Sequence, residues 1–571
     1  MRVCAFALLA GLWAAAATPL FPLKDVKPGL RGTGRTVFEG ERVEDFQVEI
    51  LGVLENIGPK QSLILARLSG GPLDRTGVLQ GMSGSPVFID GRLAGAVAMT
   101  FPFSKEPITG IRPIEEVLAV PPGKATAGRA VSLTDTDLLA GLPRPAEALF
   151  GSARLVDIST PVWLAGFTRA TIEQFAPQLR ALGLEPVQGI SGKGRPSGRL
   201  GDRAALKPGS MISVHLVTGD LSIGADGTVT HIDGDRIYAF GHRFLSVGST
   251  ELPFGRAEVL TLLPTLAASF KISASRELMG TISQDRSATI TGEIGRTAAM
   301  VPVAISVGKS AYRMELVNDR FLSPFLLQMT VFSAIDATER TLGSGSFALR
   351  GQIRFEGEAT PVTLDNMYAA DAGTALQASL GAALPLAYVM QGGFEALRIK
   401  QVELHVEPFD AKKQFQIDQV WAARPQVRPG EEVQLTVALL GESGSEQVRT
   451  VRYRTPIGMT PGPLYFTVSD AMTRNLAEFR PLAGVVPRSA AQLVATVNNL
   501  KANTRAYVRV WRPEPSFQLQ GEDFPAPPPS LAMMLARSQT PSYSSKLAEL
   551  EVDGAGAVVT GAKTVQVEVK E

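Results

Sequence analysis

Six residues, Gly81-Met82-Ser83-Gly84-Ser85-Pro86, constrain this chain more than any other stretch of it. Two glycines around a serine permit backbone angles closed to residues with a Cβ, so the main chain can bend sharply and present one hydroxyl on a tight corner. The run that follows is Val87-Phe88-Ile89, then Asp90-Gly91, then Arg92-Leu93-Ala94-Gly95-Ala96-Val97. It spells two short strands joined by a turn whose positive-φ positions suit Asp-Gly. Ser83 therefore stands at the entrance of a β-hairpin, as a candidate nucleophile. A bend of this kind also aims adjacent N–H groups at one point, where they can hold a developing oxyanion, and the pair expected to do so is that of Gly81 and Ser83.

A serine hydroxyl is a weak nucleophile at neutral pH and needs a base within hydrogen-bond reach, most often an imidazole. The chain holds four histidines, His215, His231, His242 and His405. His215 and His231 fall inside alternating runs, Met211 to Val217 and Thr228 to Ile232, where ordinary strand positions are expected. His242 follows Arg236-Ile237-Tyr238-Ala239-Phe240-Gly241, where a strand ends in a flexible corner, a common location for catalytic side chains. Each residue also has a plainer reading: Ser83 in an unreactive glycine-serine turn, His242 bonded to a neighbouring carbonyl.

Two segments, about residues 22–120 and 209–300, resemble the stage IV sporulation protein B family of serine peptidases, whose fold is similar to the chymotrypsin-like double barrel. The first carries Thr76-Gly77-Val78-Leu79-Gln80, the serine turn and its hairpin; the second carries Ala239-Phe240-Gly241-His242 and Gly280-Thr281-Ile282-Ser283-Gln284-Asp285-Arg286. The resemblance implies Ser83 as nucleophile and His242 as general base. Chain order departs from the family, in which the histidine segment precedes the serine segment. Triads recur in different chain orders, so the swap leaves catalysis open provided that the two halves close on each other. The acid departs as well. Ahead of the serine this chain reads Arg67-Leu68-Ser69-Gly70-Gly71-Pro72-Leu73-Asp74, with Asp74 the nearest carboxylate. Asp74 is the candidate third member; a turn-capping role is its alternative, and a Ser–His dyad is the alternative to a triad. Asp285 is expected to pair with Arg286 or to orient a histidine.

With 45% hydrophobic residues, 56 glycines, 39 prolines and 19% charged residues among 571, the chain is expected to be mainly β with a substantial core. The fold expected is a chymotrypsin-like double β-barrel from two separated segments, with a C-terminal β-sandwich-like module and a small α/β tail. Residues 1–17, with Arg2, an apolar run and Ala15-Ala16-Ala17, read as a signal peptide, so the protein is expected to be exported to the periplasm or beyond. A serine-bearing barrel segment at 18–125 follows, then a helical and loop insert at 126–205. The histidine-bearing barrel with a β extension spans 206–400, a sandwich-like module 401–470, and a helix, a proline-rich segment and terminal strands 471–571. The insert has helical spacing from Thr171 to Leu182 ended by Gly183, and Ser489 with Gln492 forms a capping box.

The only cysteine, Cys4, lies in the signal, which excludes disulfides and thiol chemistry from the mature chain. Removing Arg2 with the signal leaves 55 basic against 55 acidic residues, which argues against a nucleic-acid partner. No Cys/His spacing for zinc and no phosphate-cradling Gly-x-x-x-x-Gly-Lys loop occurs, so no metal or cofactor is expected. No later window reaches about 18 apolar residues, so the mature chain is expected to lack a transmembrane anchor. Two functions fit: an exported serine endopeptidase acting on an envelope protein or on itself, and an inactive envelope scaffold or protein-binding protein on the same fold.

Overall fold

The computed structural model describes residues 18–120, 137–139, 142–150, 153–189, 199–338, 344–357, 359–442, 444–479, 487–519, 522–525, 527–537 and 542–571. The expected signal peptide and parts of the expected insert at 126–205 lie outside them.

Two closed six-stranded barrels organise the first half of the chain. Barrel one consists of β1 (Arg31–Val37), β2 (Val43–Gly58), β3 (Gln61–Ser69), β4 (Pro86–Ile89), β5 (Arg92–Thr100) and β6 (Ile108–Pro113). The strands run in the order β4-β1-β2-β3-β6-β5, and β4 pairs with β5 to close the ring. That last pairing is the expected hairpin, with Asp90 at φ 50° and Gly91 at φ 72°, two successive positive-φ residues as the turn requires. Phe46, Ile50, Ile64, Leu68, Met82, Val87, Val97 and Ile111 fill the interior.

The expected insert contributes to both barrels. Its first part forms β7 (Glu147–Phe150) and β8 (Ala153–Asp157), and β8 extends barrel one by pairing with the end of β5. Its second part is a parallel unit of β9 (Thr160–Ala165), a helix at Arg169–Ala181 and β10 (Leu184–Gly189). Thr168 caps that helix by accepting from the Thr171 N–H, and Gly183 at φ 82° turns the chain after it.

Barrel two consists of β11 (Met211–Gly219), β12 (Ser222–Asp233), β13 (Arg236–Ala239), β14 (Gly248–Leu263), β15 (Phe270–Arg286) and β16 (Thr289–Ile294). It runs β12-β13-β16-β15-β14-β11 and closes through β11–β12. The parallel unit joins it through β9–β12, and strands from residues 300–409 continue its sheet beyond β11. Two apolar helices, Leu322–Thr338 and Thr374–Gln391, pack in its large core.

The C-terminal sandwich draws strands from residues 414 to 569 around one core that includes Ile417, Leu435, Phe466, Val508 and Val567. Strand 462–470 pairs with both 505–512 and 562–569, so residues on either side of the boundary read at 470 share one sheet. Alternation identifies a strand but not its partner, which is why the terminal strands read as a tail. The helix at 490–498 starts at the expected cap, Ser489 accepting from the Gln492 N–H.

Candidate active site

The serine turn is built on a one-turn helix, Leu73–Thr76, and on glycines in the left-handed region: Gly77 at φ 67°, Gly81 at φ 90° and Gly84 at φ 92°. Within the turn, the N–H groups of Met82, Gly84 and Ser85 donate to the carbonyls of Leu79, Val97 and Met82 at 3.1, 2.7 and 2.9 Å. Those of Gly81 and Ser83 make no hydrogen bond among the described residues. The two candidate oxyanion donors are therefore free while their neighbours are engaged. The Ser83 side chain is fully buried and its Oγ has no partner.

His242 stands beyond β13, where Phe240 and Gly241 both take positive φ, 71° and 66°, and swing the chain out of the strand. Its Nδ1 lies 2.6 Å from the Arg243 carbonyl oxygen. A carbonyl only accepts, so Nδ1 carries the proton and Nε2 presents its lone pair. Nε2 is buried and unpartnered. Asp285 fixes the loop that follows, accepting from the N–H groups of Phe244, Leu245 and Val247 at 2.9, 2.7 and 3.2 Å. Arg286 instead meets the Gln284 side chain. Successive residues of a strand face opposite sides, which separates Asp285 from Arg286 and replaces the expected ion pair by a loop anchor. Burial pushes the Asp285 carboxyl up to about 6 against the pull of these amides.

The two corners meet along the seam between the barrels. Thr228 of β12 donates its N–H to the Ser83 carbonyl at 2.9 Å and its hydroxyl to the Gly81 carbonyl at 2.8 Å, and Thr230 donates to the Gly84 carbonyl at 2.7 Å. A Cβ on Gly84 would stand 2.1 Å from the Thr228 oxygen and 2.5 Å from the Phe240 nitrogen; one on Gly241 would stand 3.4 Å from the Gly84 nitrogen. The residue after Ser83 thus touches the residues before His242. Ser83 Oγ and His242 Nε2 share no hydrogen bond in this conformation.

Asp157, at the end of β8, is the carboxylate whose charge reaches His242. It is 8% exposed, accepts from the Ala146 N–H at 3.0 Å and faces Arg243 at 3.9 Å; its Oδ1 has no partner. Burial holds the His242 imidazole below its ordinary pKa; the Asp157 charge and the Arg243 carbonyl pull it up, and the guanidiniums of Arg112 and Arg243 push it down. Asp74 occupies the exposed side of the one-turn helix at 73–76. Asp157 escaped the sequence reading because it lies in a segment read as an insert, and no local pattern shows that β8 joins barrel one.

The other histidines sit on strands. His215 Nε2 lies 2.9 Å from Ser275 Oγ, and burial lowers its pKa to about 4. His231 packs beside Tyr238, and His405 meets Ser306 Oγ at 2.6 Å. Among the described residues, no three His, Cys, Asp or Glu side chains gather as a metal would require, and no helix is long and apolar enough to cross a membrane.

Residues 16–114, which contain the whole of barrel one and its serine turn, match the family model described as SpoIVB peptidase S55. That family is one of serine peptidases, hydrolases whose substrates are proteins. The match ends before β8 and before the histidine barrel. Neither a curated protein nor a solved structure matches the chain.

Proposed function

We propose that this chain is an exported serine endopeptidase in which Ser83 is the nucleophile and His242 the general base, acting on a protein of the cell envelope or on itself. One observation carries the reading: the free N–H pair of Gly81 and Ser83 flanks a buried hydroxyl that has no other partner. In this mechanism, Ser83 Oγ forms a bond to the scissile carbonyl carbon while its proton passes to His242 Nε2. The carbonyl oxygen becomes an oxyanion held by the two N–H groups. The C–N bond then breaks, His242 returns the proton to the leaving amine, and water repeats the sequence on the acyl-enzyme. The Arg243 carbonyl supports the required tautomer by holding the Nδ1 proton. Asp157 supports the imidazolium through its charge. Serine, acid and histidine come from barrel one, the connecting strand and barrel two, an order of parts that geometry-defined catalysis tolerates. Catalytic hydrogen bonds often tighten only with substrate, which accommodates the unmade Ser83–His242 contact.

That unmade contact, with Ser83 fully buried, also favours a second reading, an envelope scaffold that keeps the barrels without the reaction. Fluorophosphonate labelling separates the two. Labelling of the purified protein that disappears in folded Ser83→Ala and His242→Ala variants supports the peptidase; an unlabelled wild type supports the scaffold. Export follows from the apolar segment at 1–17 and is tested by N-terminal sequencing of the protein recovered from the cell envelope.

A further inference from the structure

Behind the serine turn lies a charged side chain to which the reaction above gives no part. Lys271, near the start of β15, is completely buried, and its Nζ donates to Thr36 Oγ1 of β1 at 2.7 Å, a bond that crosses from barrel two to barrel one. Its stem runs under the turn: a Cβ on Gly81 would meet Lys271 Cδ at 3.3 Å and Cγ at 3.6 Å. Its backbone holds the same place. The Lys271 N–H donates to the Gln80 carbonyl at 3.3 Å, and the Gln80 N–H donates to the Ser269 carbonyl at 2.8 Å, so the start of β15 and the residue ahead of it hold the residue just before Gly81 by both its backbone groups.

We propose that Lys271 is a positioning residue for the Gly81–Ser83 turn, its buried ammonium fixing the turn against both barrels and placing positive charge behind the two free N–H groups. The inference rests on the peptidase reading for its catalytic meaning. An ammonium in a dry site is felt far more strongly than one in water, and charge placed in advance near a developing oxyanion lowers the barrier without reorganisation. Nζ lies two bonds beyond the Cδ that a Cβ on Gly81 would meet at 3.3 Å, which puts the charge in the layer behind the turn.

The charged group facing Lys271 is Asp226 of β12, itself 1% exposed and held by Trp163 Nε1 at 2.6 Å and by the Ser273 hydroxyl. Thr36 of β1, Met211 of β11 and the glycine turn bring no charge. Burial lowers the Lys271 pKa to about 7 against the pull of Asp226, and burial raises that of Asp226. The ammonium therefore loses its proton as pH rises through about 7, and its support of the oxyanion goes with it.

The test measures the fluorophosphonate labelling rate against pH. The wild type is expected to show an ascending limb from His242 and a descending limb near pH 7 from Lys271. Lys271→Met should abolish the descending limb and lower the maximal rate about tenfold. Asp226→Asn, which removes the facing charge, should move that limb to lower pH. Lys271→Met leaves Asp226 without a counter-charge, so Lys271→Met/Asp226→Asn serves where the single variant does not fold. A descending limb that survives Lys271→Met overturns the proposal. A wild type that never labels defeats the peptidase reading, and the proposal is then decided by the amide NMR signals of Gly81 and Ser83. Signals that titrate near pH 7 in the wild type but not in Lys271→Met uphold it; signals that do not titrate overturn it.

Discussion

The two barrels close with the same number of strands but hold the corners at Ser83 and His242 by different means. In barrel one, the bend around Ser83 is made by residues next to it: glycines at positive φ, turn hydrogen bonds between Leu79 and Val97, and the Asp90-Gly91 hairpin. In barrel two, the corner at His242 is held from a distance, by Asp285 on β15, by Asp157 outside the barrel and by contact with Gly84 across the seam. The bend of the first corner is thus encoded locally, with Thr228, Thr230 and Lys271 of barrel two bracing it, whereas the second corner is made by tertiary contact. A family signature can then match the residues of barrel one and stop before the histidine, as the match over residues 16–114 does.

The largest effect should come where the two kinds of encoding touch. Gly84→Ala places a Cβ 2.1 Å from a backbone oxygen of barrel two at φ 92°, and should cost more than about 3 kcal/mol in urea unfolding and abolish labelling. Gly91→Ala shares the positive φ but has open space around it, and should cost only about 1–2 kcal/mol. Next comes Asp285→Ala, which strips the acceptor from three buried N–H groups. It should cost about 3 kcal/mol and raise hydrogen exchange at 244–247 while leaving the serine hairpin protected.

Acid should separate the barrels further. All four histidines lie outside barrel one, and His215, His231 and His242 are each lowered by burial. A histidine lowered in the folded state takes up its proton first when unfolded, so stability is lost as pH falls. For His215 the loss begins near its ordinary value of 6.5 and is complete near 4, which amounts to at most about 3 kcal/mol. Asp285, raised to about 6, gains stability over the same range and opposes this loss, so hydrogen exchange between pH 7 and pH 4 should loosen barrel two only by the excess from its histidines, and His215→Gln should reduce that loosening. Equal loosening would show that the histidines do not govern it.

The same contrast explains what could be read from the sequence. The serine turn, its hairpin, the helix after Thr168 and the cap at Ser489 rest on neighbouring residues, and the structure has each where local chemistry puts it. The role of Asp285, the joining of β8 to barrel one and the sharing of one sandwich by strands on both sides of residue 470 depend on partners far along the chain. Alternation and turn chemistry carry no information on which strands pair, so these stayed hidden. Lys271 was hidden for the same reason: nothing near it in sequence marks it as buried beneath Gly81.

The finest test of the comparison sets two aspartates against each other. Asp74 lies near Ser83 in sequence, but its side chain is exposed on the one-turn helix; Asp157 lies far away in sequence, but its charge reaches His242. Because Asp157 raises the imidazole pKa, Asp157→Asn should move the ascending limb of the labelling rate to lower pH and slow the plateau about tenfold. A fall nearer ten-thousandfold would mean that Asp157, not the Arg243 carbonyl, sets the tautomer during reaction. Asp74→Ala should leave labelling unchanged and stability within about 0.5 kcal/mol, as expected of an exposed residue remote from the charge network. If Asp74→Ala slowed labelling and Asp157→Asn did not, the histidine corner would be oriented from within barrel one, and its dependence on distant contacts would be confined to Asp285.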